Sequence, residues 1–136
     1  MSSWNIVEIS SFPDERGNIH IAEYDKDFDF NVKRIYYLTG MSEKTSRGGH
    51  AHVELNQFML CLAGSFDIEL NDGILKQKFR MKNDSKALCV GSLVWRDMTN
   101  FTADAVMLVL NDRVYSEDRV VRCYSTFEKL VYEKNV

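Results

Sequence analysis

Two histidines separated by a single residue carry the clearest chemical signal in this sequence. His50 and His52 end the segment Arg47-Gly48-Gly49-His50-Ala51-His52, and they are two of the three histidines in the chain. If this segment is a strand, both imidazoles point to the same face, because side chains alternate along a strand. Such a pair can bind a metal ion or can move protons near neutral pH. A pair of surface histidines is the alternative interpretation, and the isolated His20 is expected to be structural.

Short segments rich in β-branched and aromatic residues must position these histidines. They cover residues 19–24, 32–38, 58–62, 65–70, 74–81, 87–90 and 105–110, with turn residues between them. Asn71-Asp72-Gly73, between two alternating runs, is typical of a β-hairpin. Many short strands at intervals of about ten residues predict an all-β sandwich or closed barrel. One helix is predicted over residues 125–133, with Ser125 as its N-cap and an apolar stripe of Phe127, Leu130 and Val131.

The composition is that of one ordinary globular domain, which we expect to span residues 1–136. Lys and Arg number 17 against 20 Asp and Glu, a formal net charge of −3. This balance excludes the bulk positive charge that binds nucleic acids or anionic membranes, so an anionic ligand must be held by a few placed arginines. The three cysteines form no CxxC motif, and neither a signal peptide nor an apolar run of about 18 residues is visible. We therefore expect a reduced, cytoplasmic protein.

The spacing around the histidine pair resembles the first motif of the cupins, which are small double-sheet β-barrels of the jelly-roll kind. In metal-binding cupins a glutamate follows the His-x-His pair, and a later motif adds another histidine. This sequence has Gln57 and Arg96 at those positions. A neutral amide and a permanent cation remove two ligands, and the guanidinium places positive charge where the metal would lie. We therefore predict that no metal is bound and that His50 and His52 are free to act as acid and base.

A closer resemblance covers nearly the whole chain and identifies a cupin subfamily, the nucleotide-sugar 3,4-ketoisomerases. The similar segments occur in the same order and at similar spacing, at residues 32–37, 47–52, 60–65, 94–98, 106–110 and 115–118. The resemblance implies a double-stranded β-helix with a short C-terminal helix. It also implies an isomerase that acts on dTDP-4-keto-6-deoxyglucose in bacterial surface-sugar pathways, such as those of O-antigens and S-layers. The late segment departs from the family's form, which has tyrosine and isoleucine where Arg119 and Val120 stand here.

The reaction implied by this resemblance moves a ketone from C4 of the sugar to C3 through an enediol. No electrons leave the sugar, so we expect no cofactor. The chemistry needs a base with a pKa near ambient pH, a second group that shuttles protons, and donors for the developing oxyanion. On the family's pattern His50 is the carbon base and His52 moves protons at the oxygens, although the order could be reversed. Tyr37 could donate to an oxygen, but Tyr36 and Tyr37 face opposite sides of their strand, so that only one can point inward.

The substrate's diphosphate needs cationic groups, and its sugar needs polar partners. Arg34, Arg47 and Arg96 are the candidates for the phosphates, since arginine can bind phosphate oxygens in a bidentate manner. Gln57 can hold a sugar hydroxyl or brace a histidine. We also expect a homodimer, because jelly rolls of this size leave edge strands that a partner subunit can cover. The strand around residues 4–9 is apolar at alternate positions and could add to a neighbour's sheet.

Three other functions stay open at this point. A 3,5-epimerase of the same kind of dTDP-4-keto sugar would also use a histidine base in a cupin barrel, but this chain is short for that family. A non-catalytic sugar-nucleotide-binding cupin would use both histidines for binding alone. A metal-dependent dioxygenase would require a bound metal ion.

Overall fold

The computed structural model describes residues 3–136, which lie mostly in β-strands. The strands are β1 (Trp4–Glu8), β2 (Ser10–Asp14), β3 (Gly17–Ile21), β4 (Arg34–Leu38), β5 (Arg47–His52), β6 (Gln57–Ala63), β7 (Ser65–Asn71), β8 (Lys76–Lys82), β9 (Lys86–Val90), β10 (Trp95–Thr99), β11 (Val106–Asn111) and β12 (Val120–Val121). A short 3₁₀ helix covers Tyr115–Glu117, and the α-helix α1 covers Tyr124–Lys134.

Two five-stranded antiparallel sheets form the body of the molecule. The first has the strand order β1-β9-β6-β11-β4, and the second has the order β12-β5-β10-β7-β8. Among the described strands, β2 and β3 pair only with each other and form a separate hairpin. Two such facing sheets followed by a C-terminal helix make a double-stranded β-helix, so the predicted fold class is confirmed.

The core lies between the two sheets and is built from alternate residues of their strands. In β7, Phe66, Ile68 and Leu70 are fully buried, while the residues between them are half-buried. Met107 and Val109 of β11 face the same core from the other sheet. Each fully buried side chain of this kind stabilises the fold by about 1.5–3 kcal/mol. In β10, Arg96 and Met98 pair with the buried Leu70 and Ile68 of β7, so their side chains also point into the barrel. His50 of β5 pairs with Arg96 and points the same way.

The predicted hairpin at residues 71–73 is confirmed, because it joins β7 to β8. Oδ1 of Asp72 accepts hydrogen bonds from the backbone N–H groups of Ile74, at 2.9 Å, and Leu75, at 2.7 Å. Gly73 has a φ of +91°, which a residue with a Cβ rarely adopts. Asp and Gly are thus present because the turn needs an acceptor side chain and a left-handed backbone.

The C-terminal helix packs on the outer face of the second sheet. Phe127 and Val131 are its buried residues, and Phe127 lies 5.6 Å from the Trp95 ring. The prediction that Ser125 caps this helix is wrong, because the helix begins at Tyr124. Its N-cap residue is Cys123, whose backbone is extended. Within residues 3–136, no helix has the length and apolar character needed to cross a membrane.

Candidate active site

Two glycines at the start of β5 set the position of the histidine pair. The register between β5 and β10 shifts next to Arg96, which pairs with His50, while Asp97 pairs with Gly48. A Cβ on Gly48 would lie 2.6 Å from the carbonyl oxygen of Arg96, and the φ of Gly48 is +95°. The glycine therefore allows the close approach of β5 to β10 that brings His50 beside Arg96.

His50 and His52 lie side by side in the barrel, as the alternation of the strand predicts. Their ring centroids are 4.9 Å apart and their planes are nearly perpendicular, at 85°. His52 is 5% exposed and His50 is half-buried. The alternative of two exposed surface histidines is therefore wrong.

Burial keeps both imidazoles neutral at physiological pH. The pKa of His52 is lowered to about 4, first by burial and then by the positive charge of Arg96, against the opposing effect of Asp118. Burial also lowers the pKa of His50, and the charges of Arg96 and Arg122 act in the same direction, while the Gly48 backbone opposes them. Neutral imidazoles can accept protons, as a base and a shuttle require.

An aspartate that was not among the predicted site residues contacts this pair. Nδ1 of His52 lies 2.7 Å from Oδ1 of Asp118, and Nη2 of Arg34 donates to Oδ2 of the same carboxylate at 2.8 Å. Burial favours the protonated form of Asp118, but the hydrogen bonds from Arg34 and His52 prevail and lower its pKa. The carboxylate is therefore ionised between the two side chains. The only sequence signal for it was its place in the late segment, residues 115–118, that resembles the ketoisomerases.

The guanidinium of Arg96 occupies the interior beside the histidines. Arg96 is 2% exposed, and it donates to Oε1 of Gln57 and, at 3.0 Å, to the carbonyl oxygen of Val94. Both partners are neutral, and Nε of Arg96 has no hydrogen-bond partner among residues 3–136. Burial lowers the pKa of Arg96 to about 10, so it still carries its charge at neutral pH.

The side-chain amide of Gln57 is held in one orientation, because its nitrogen donates hydrogen bonds to two other side chains. Its oxygen therefore faces Arg96. Nε2 of Gln57 donates to Oδ1 of Asn111 at 2.8 Å and to the hydroxyl oxygen of Tyr36 at 3.2 Å. Gln57 therefore acts in this structure as a brace for Arg96. Asn111, which is fully buried, is a further interior residue that the sequence analysis did not identify.

Tyr36, and not Tyr37, is the tyrosine that faces the interior. In the register of β4 with β11, Tyr36 pairs with the buried Val109, whereas Tyr37 pairs with Leu108 on the outer face. Tyr37 is 67% exposed. The expectation that Tyr37 donates to the substrate is therefore corrected, because the alternation of β4 places its hydroxyl outside the barrel.

The predicted arginines occupy three different environments. Arg96 is enclosed in the barrel, and Arg34 is mostly buried and bound to Asp118, with its guanidinium 5.8 Å from the Tyr36 ring centroid and 5.9 Å from that of Tyr115. Arg47 is exposed at the start of β5, where it pairs with Met98.

Among residues 3–136, no three His, Cys, Asp or Glu side chains are grouped so that they could hold a metal ion.

A double-stranded β-helix with a histidine pair and a buried arginine in its interior is the architecture of a cupin. The sequence family described as "FdtA: WxcM-like, C-terminal" matches residues 2–132. The chain belongs to this family, and the predicted resemblance is confirmed.

Characterised relatives of the chain are sugar-nucleotide isomerases. The TDP-4-oxo-6-deoxy-alpha-D-glucose-3,4-oxoisomerase of Aneurinibacillus thermoaerophilus is 34% identical over 131 residues, which cover 96% of this chain and 94% of that protein. The 3,4-ketoisomerase QdtA of Thermoanaerobacterium thermosaccharolyticum, solved in complex with TDP, is 30% identical, with a TM-score of 0.92 over 98% of each chain. A histidine-to-asparagine variant of QdtA has been solved with TDP-4-keto-6-deoxyglucose; it is 29% identical, with a TM-score of 0.91 over 98% of this chain and 96% of that one.

A sugar epimerase is a more distant neighbour. ChmJ, a 3'-monoepimerase from Streptomyces bikiniensis, is 17% identical, with a TM-score of 0.76 over 88% of this chain and 69% of that one. At this level of identity the likeness concerns the fold alone. The epimerase alternative therefore receives no support beyond the shared barrel.

Proposed function

We propose that this protein is a 3,4-ketoisomerase that converts TDP-4-keto-6-deoxyglucose into a TDP-3-keto-6-deoxyhexose. The observation that carries the proposal is the pair of buried, neutral imidazoles beside an enclosed guanidinium, in a chain whose relatives catalyse this reaction. A ketone shift needs a base, a proton shuttle and a positive charge near the oxygens. The side chains of His50, His52 and Arg96 can supply these three functions.

His50 is the carbon base in this proposal. It takes the proton from C3, and the electrons of the C3–H bond form a C3–C4 double bond while the carbonyl electrons move to O4. The protonated imidazole then returns its proton to C4. Meanwhile His52 accepts the proton of the O3 hydroxyl and delivers it to O4, so that C3 becomes the ketone. One hydrogen has moved from C3 to C4 and one from O3 to O4, and no external oxidant or reductant is needed.

Arg96 and Tyr36 support the negative charge that develops at the oxygens. Among the described residues, the hydrogen-bond acceptors of Arg96 are neutral, so its electrostatic field is available to the substrate. In a buried site such a field is much stronger than in water. The hydroxyl of Tyr36, which accepts a hydrogen bond from Gln57, is the proton donor in this proposal, in the role that the sequence analysis gave to Tyr37.

The diphosphate requires a cation that solvent can reach. Arg96 is too deeply enclosed for this role, and Arg34 already binds Asp118. Arg47 is exposed on β5, two residues before Gly49 and three before His50, and Arg122 is exposed beyond β12. We assign the phosphates to Arg47, with Arg122 as the second cation.

We also propose that the protein is a homodimer. β1 lies at one edge of the first sheet, and β4 at the other edge exposes Ile35 and Tyr37 on the outer face. Leu62 of β6 is a further exposed apolar residue in the same sheet. A second copy that covers this face would remove it from water.

Sedimentation equilibrium tests the dimer. We expect twice the mass of the chain for the wild type and a shift toward the single-chain mass for Ile35→Glu. Ile74→Glu, at an exposed turn position between β7 and β8, is the control and should leave the mass unchanged. A wild type that sediments as a single chain would overturn the dimer proposal.

The proposal includes a cytoplasmic location and a role in surface-sugar synthesis. Cys61, Cys89 and Cys123 are free thiols, which suits a reducing compartment. The product, a nucleotide-linked keto sugar, is a suitable substrate for a later enzyme that modifies C3.

NMR of TDP-4-keto-6-deoxyglucose incubated with the protein in D₂O tests the catalytic proposal. A product with a carbonyl carbon at C3, with hydrogen or deuterium newly bound at C4, is the expected result. Exchange confined to C5 would identify an epimerase, and substrate that is bound but unchanged would identify a non-catalytic binding protein. Either outcome would overturn the proposed function.

A further inference from the structure

We infer that Asp118 is a positioning residue, which fixes the tautomer of His52 so that Nε2 is the proton-accepting atom in the barrel. The inference deepens the proposed ketoisomerase function and rests on it for the identity of the proton that Nε2 accepts. The tautomer itself can be measured independently of any activity.

The contact between His52 and Asp118 determines which ring nitrogen carries the proton. The Asp118 carboxylate is ionised and can only accept hydrogen bonds, so at a separation of 2.7 Å Nδ1 of a neutral His52 must be the donor. The neutral ring has one N–H, and Nε2 therefore carries the lone pair. Nε2 is buried and has no hydrogen-bond partner in the described part of the chain. A buried acceptor without a partner is costly and suggests that a ligand group supplies the missing donor.

The charged groups around His52 explain why Asp118 orients the ring without protonating it. Asp118 approaches from the segment after the 3₁₀ helix, His50 lies on the same strand, and Arg96 faces the ring from β10. The second oxygen of Asp118 is bound to Arg34, which reduces the attraction between the carboxylate and a positive imidazolium. Together with burial, this keeps the ring neutral and able to accept a proton.

Arg34 also restricts what could replace Asp118. Its guanidinium is a permanent donor, 2.8 Å from Oδ2 of Asp118, and it lies over the rings of Tyr36 and Tyr115. Asparagine at position 118 would turn its amide oxygen toward Arg34 and its amide NH₂ toward His52. Nδ1 would then have to accept, and the proton of His52 would move to Nε2. The isosteric substitution Asp118→Asn should therefore invert the tautomer.

Long-range ¹H–¹⁵N NMR of protein labelled with ¹⁵N-histidine provides the test. In the wild type we expect His52 as the Nδ1–H tautomer, and in Asp118→Asn we expect the Nε2–H tautomer. The kcat for the keto sugar should fall at least ~100-fold in Asp118→Asn, while KM changes less than about threefold, because the substrate is still bound. Asp97→Asn, on the neighbouring strand β10, makes the same chemical change away from His52 and should alter neither the tautomer nor kcat.

A second variant separates the orientation of His52 from a simple loss of negative charge. In Arg34→Met/Asp118→Asn the amide is free to turn its oxygen back to His52, so we expect the Nδ1–H tautomer to return and kcat to recover at least about tenfold over Asp118→Asn. An unchanged tautomer in Asp118→Asn, or an unchanged kcat, would overturn the inference. Failure of the wild type to convert the keto sugar would overturn the proposed function instead, and the tautomer measurement would still decide the structural role of Asp118.

Discussion

Arg96 donates a hydrogen bond to Oε1 of Gln57 between the two sheets, and both side chains are almost completely withdrawn from solvent. A buried cation is normally paired with a carboxylate, since desolvation costs several kcal/mol. Here its hydrogen-bond partners are an amide and a backbone carbonyl. The charge of Arg96 is thus left available to the histidines and to a bound oxyanion.

Placing a carboxylate beside this guanidinium should suppress catalysis. Gln57→Glu preserves the shape of the side chain but pairs the charge of Arg96, so we expect kcat to fall at least ~10-fold and the pKa of His52 to rise. Steady-state kinetics and histidine NMR titration measure the two effects. Gln77→Glu, at an exposed position on β8, is the matched control. Full activity of Gln57→Glu with an unshifted His52 would show that the uncompensated charge has no catalytic role.

Burial of His52 predicts a loss of stability in acid. Its folded-state pKa of about 4 lies below the usual value of 6.5, so between these pH values the unfolded chain binds a proton that the folded protein does not. The free energy of unfolding should therefore decrease as the pH falls from about 6.5 to 4, by up to about 1.4 kcal/mol per pH unit. Urea unfolding at a series of pH values should show this slope reduced in His52→Asn. The control His20→Asn, at an exposed position, should keep it; equal slopes in all three proteins would contradict the prediction.

The two adjacent tyrosines of β4 should respond differently to loss of their hydroxyl groups. Tyr36→Phe removes a group that accepts a hydrogen bond from Gln57 inside the barrel, and we expect kcat to fall at least about tenfold. Tyr37→Phe removes a hydroxyl from the outer face and should leave kcat within a factor of two. Parallel kinetic assays compare them, and a larger effect at Tyr37 would mean that the assignment of the interior tyrosine is wrong.

The two glycines of β5 should also differ. Alanine at either position must adopt a positive φ, which costs roughly 1–2 kcal/mol. At Gly48 the new Cβ would in addition lie 2.6 Å from the carbonyl oxygen of Arg96, whereas at Gly49 the nearest atom is 3.9 Å away. Gly48→Ala should therefore lower both the unfolding free energy and kcat more than Gly49→Ala does, since β5 must move away from β10. Equal losses in urea unfolding and in kcat would contradict this.

The features that depend on alternation along a single strand could be predicted from the sequence. The common face of His50 and His52 and the hairpin at residues 71–73 both follow from local rules. The choice between Tyr36 and Tyr37 could not, because both faces of β4 are apolar, with Ile35 and Tyr37 on one and Tyr36 and Leu38 on the other. Only the register against β11 decides it.

The partners of the charged residues depend on contacts between distant segments. Asp118 is 66 residues from His52 and 84 from Arg34, and their meeting requires that the segment after the 3₁₀ helix lead into β12, which pairs with β5. The sequence indicates Arg34 as a candidate phosphate ligand but gives no sign of its ion pair with Asp118. The helix cap was misplaced for a similar reason, since only Arg122 and Cys123 separate the end of β12 from the start of α1, and Cys123 is the N-cap residue.

The most direct test of the account compares the wild type, His50→Asn and His52→Asn after removal of metal ions. Each protein is stripped with a chelator, and the conversion of TDP-4-keto-6-deoxyglucose to its 3-keto isomer is followed by NMR. We expect full wild-type turnover without metal and a loss of at least ~100-fold in kcat for each variant. Near-wild-type turnover in either variant, or a wild type that regains activity only when a divalent cation is added, would contradict catalysis by the two imidazoles.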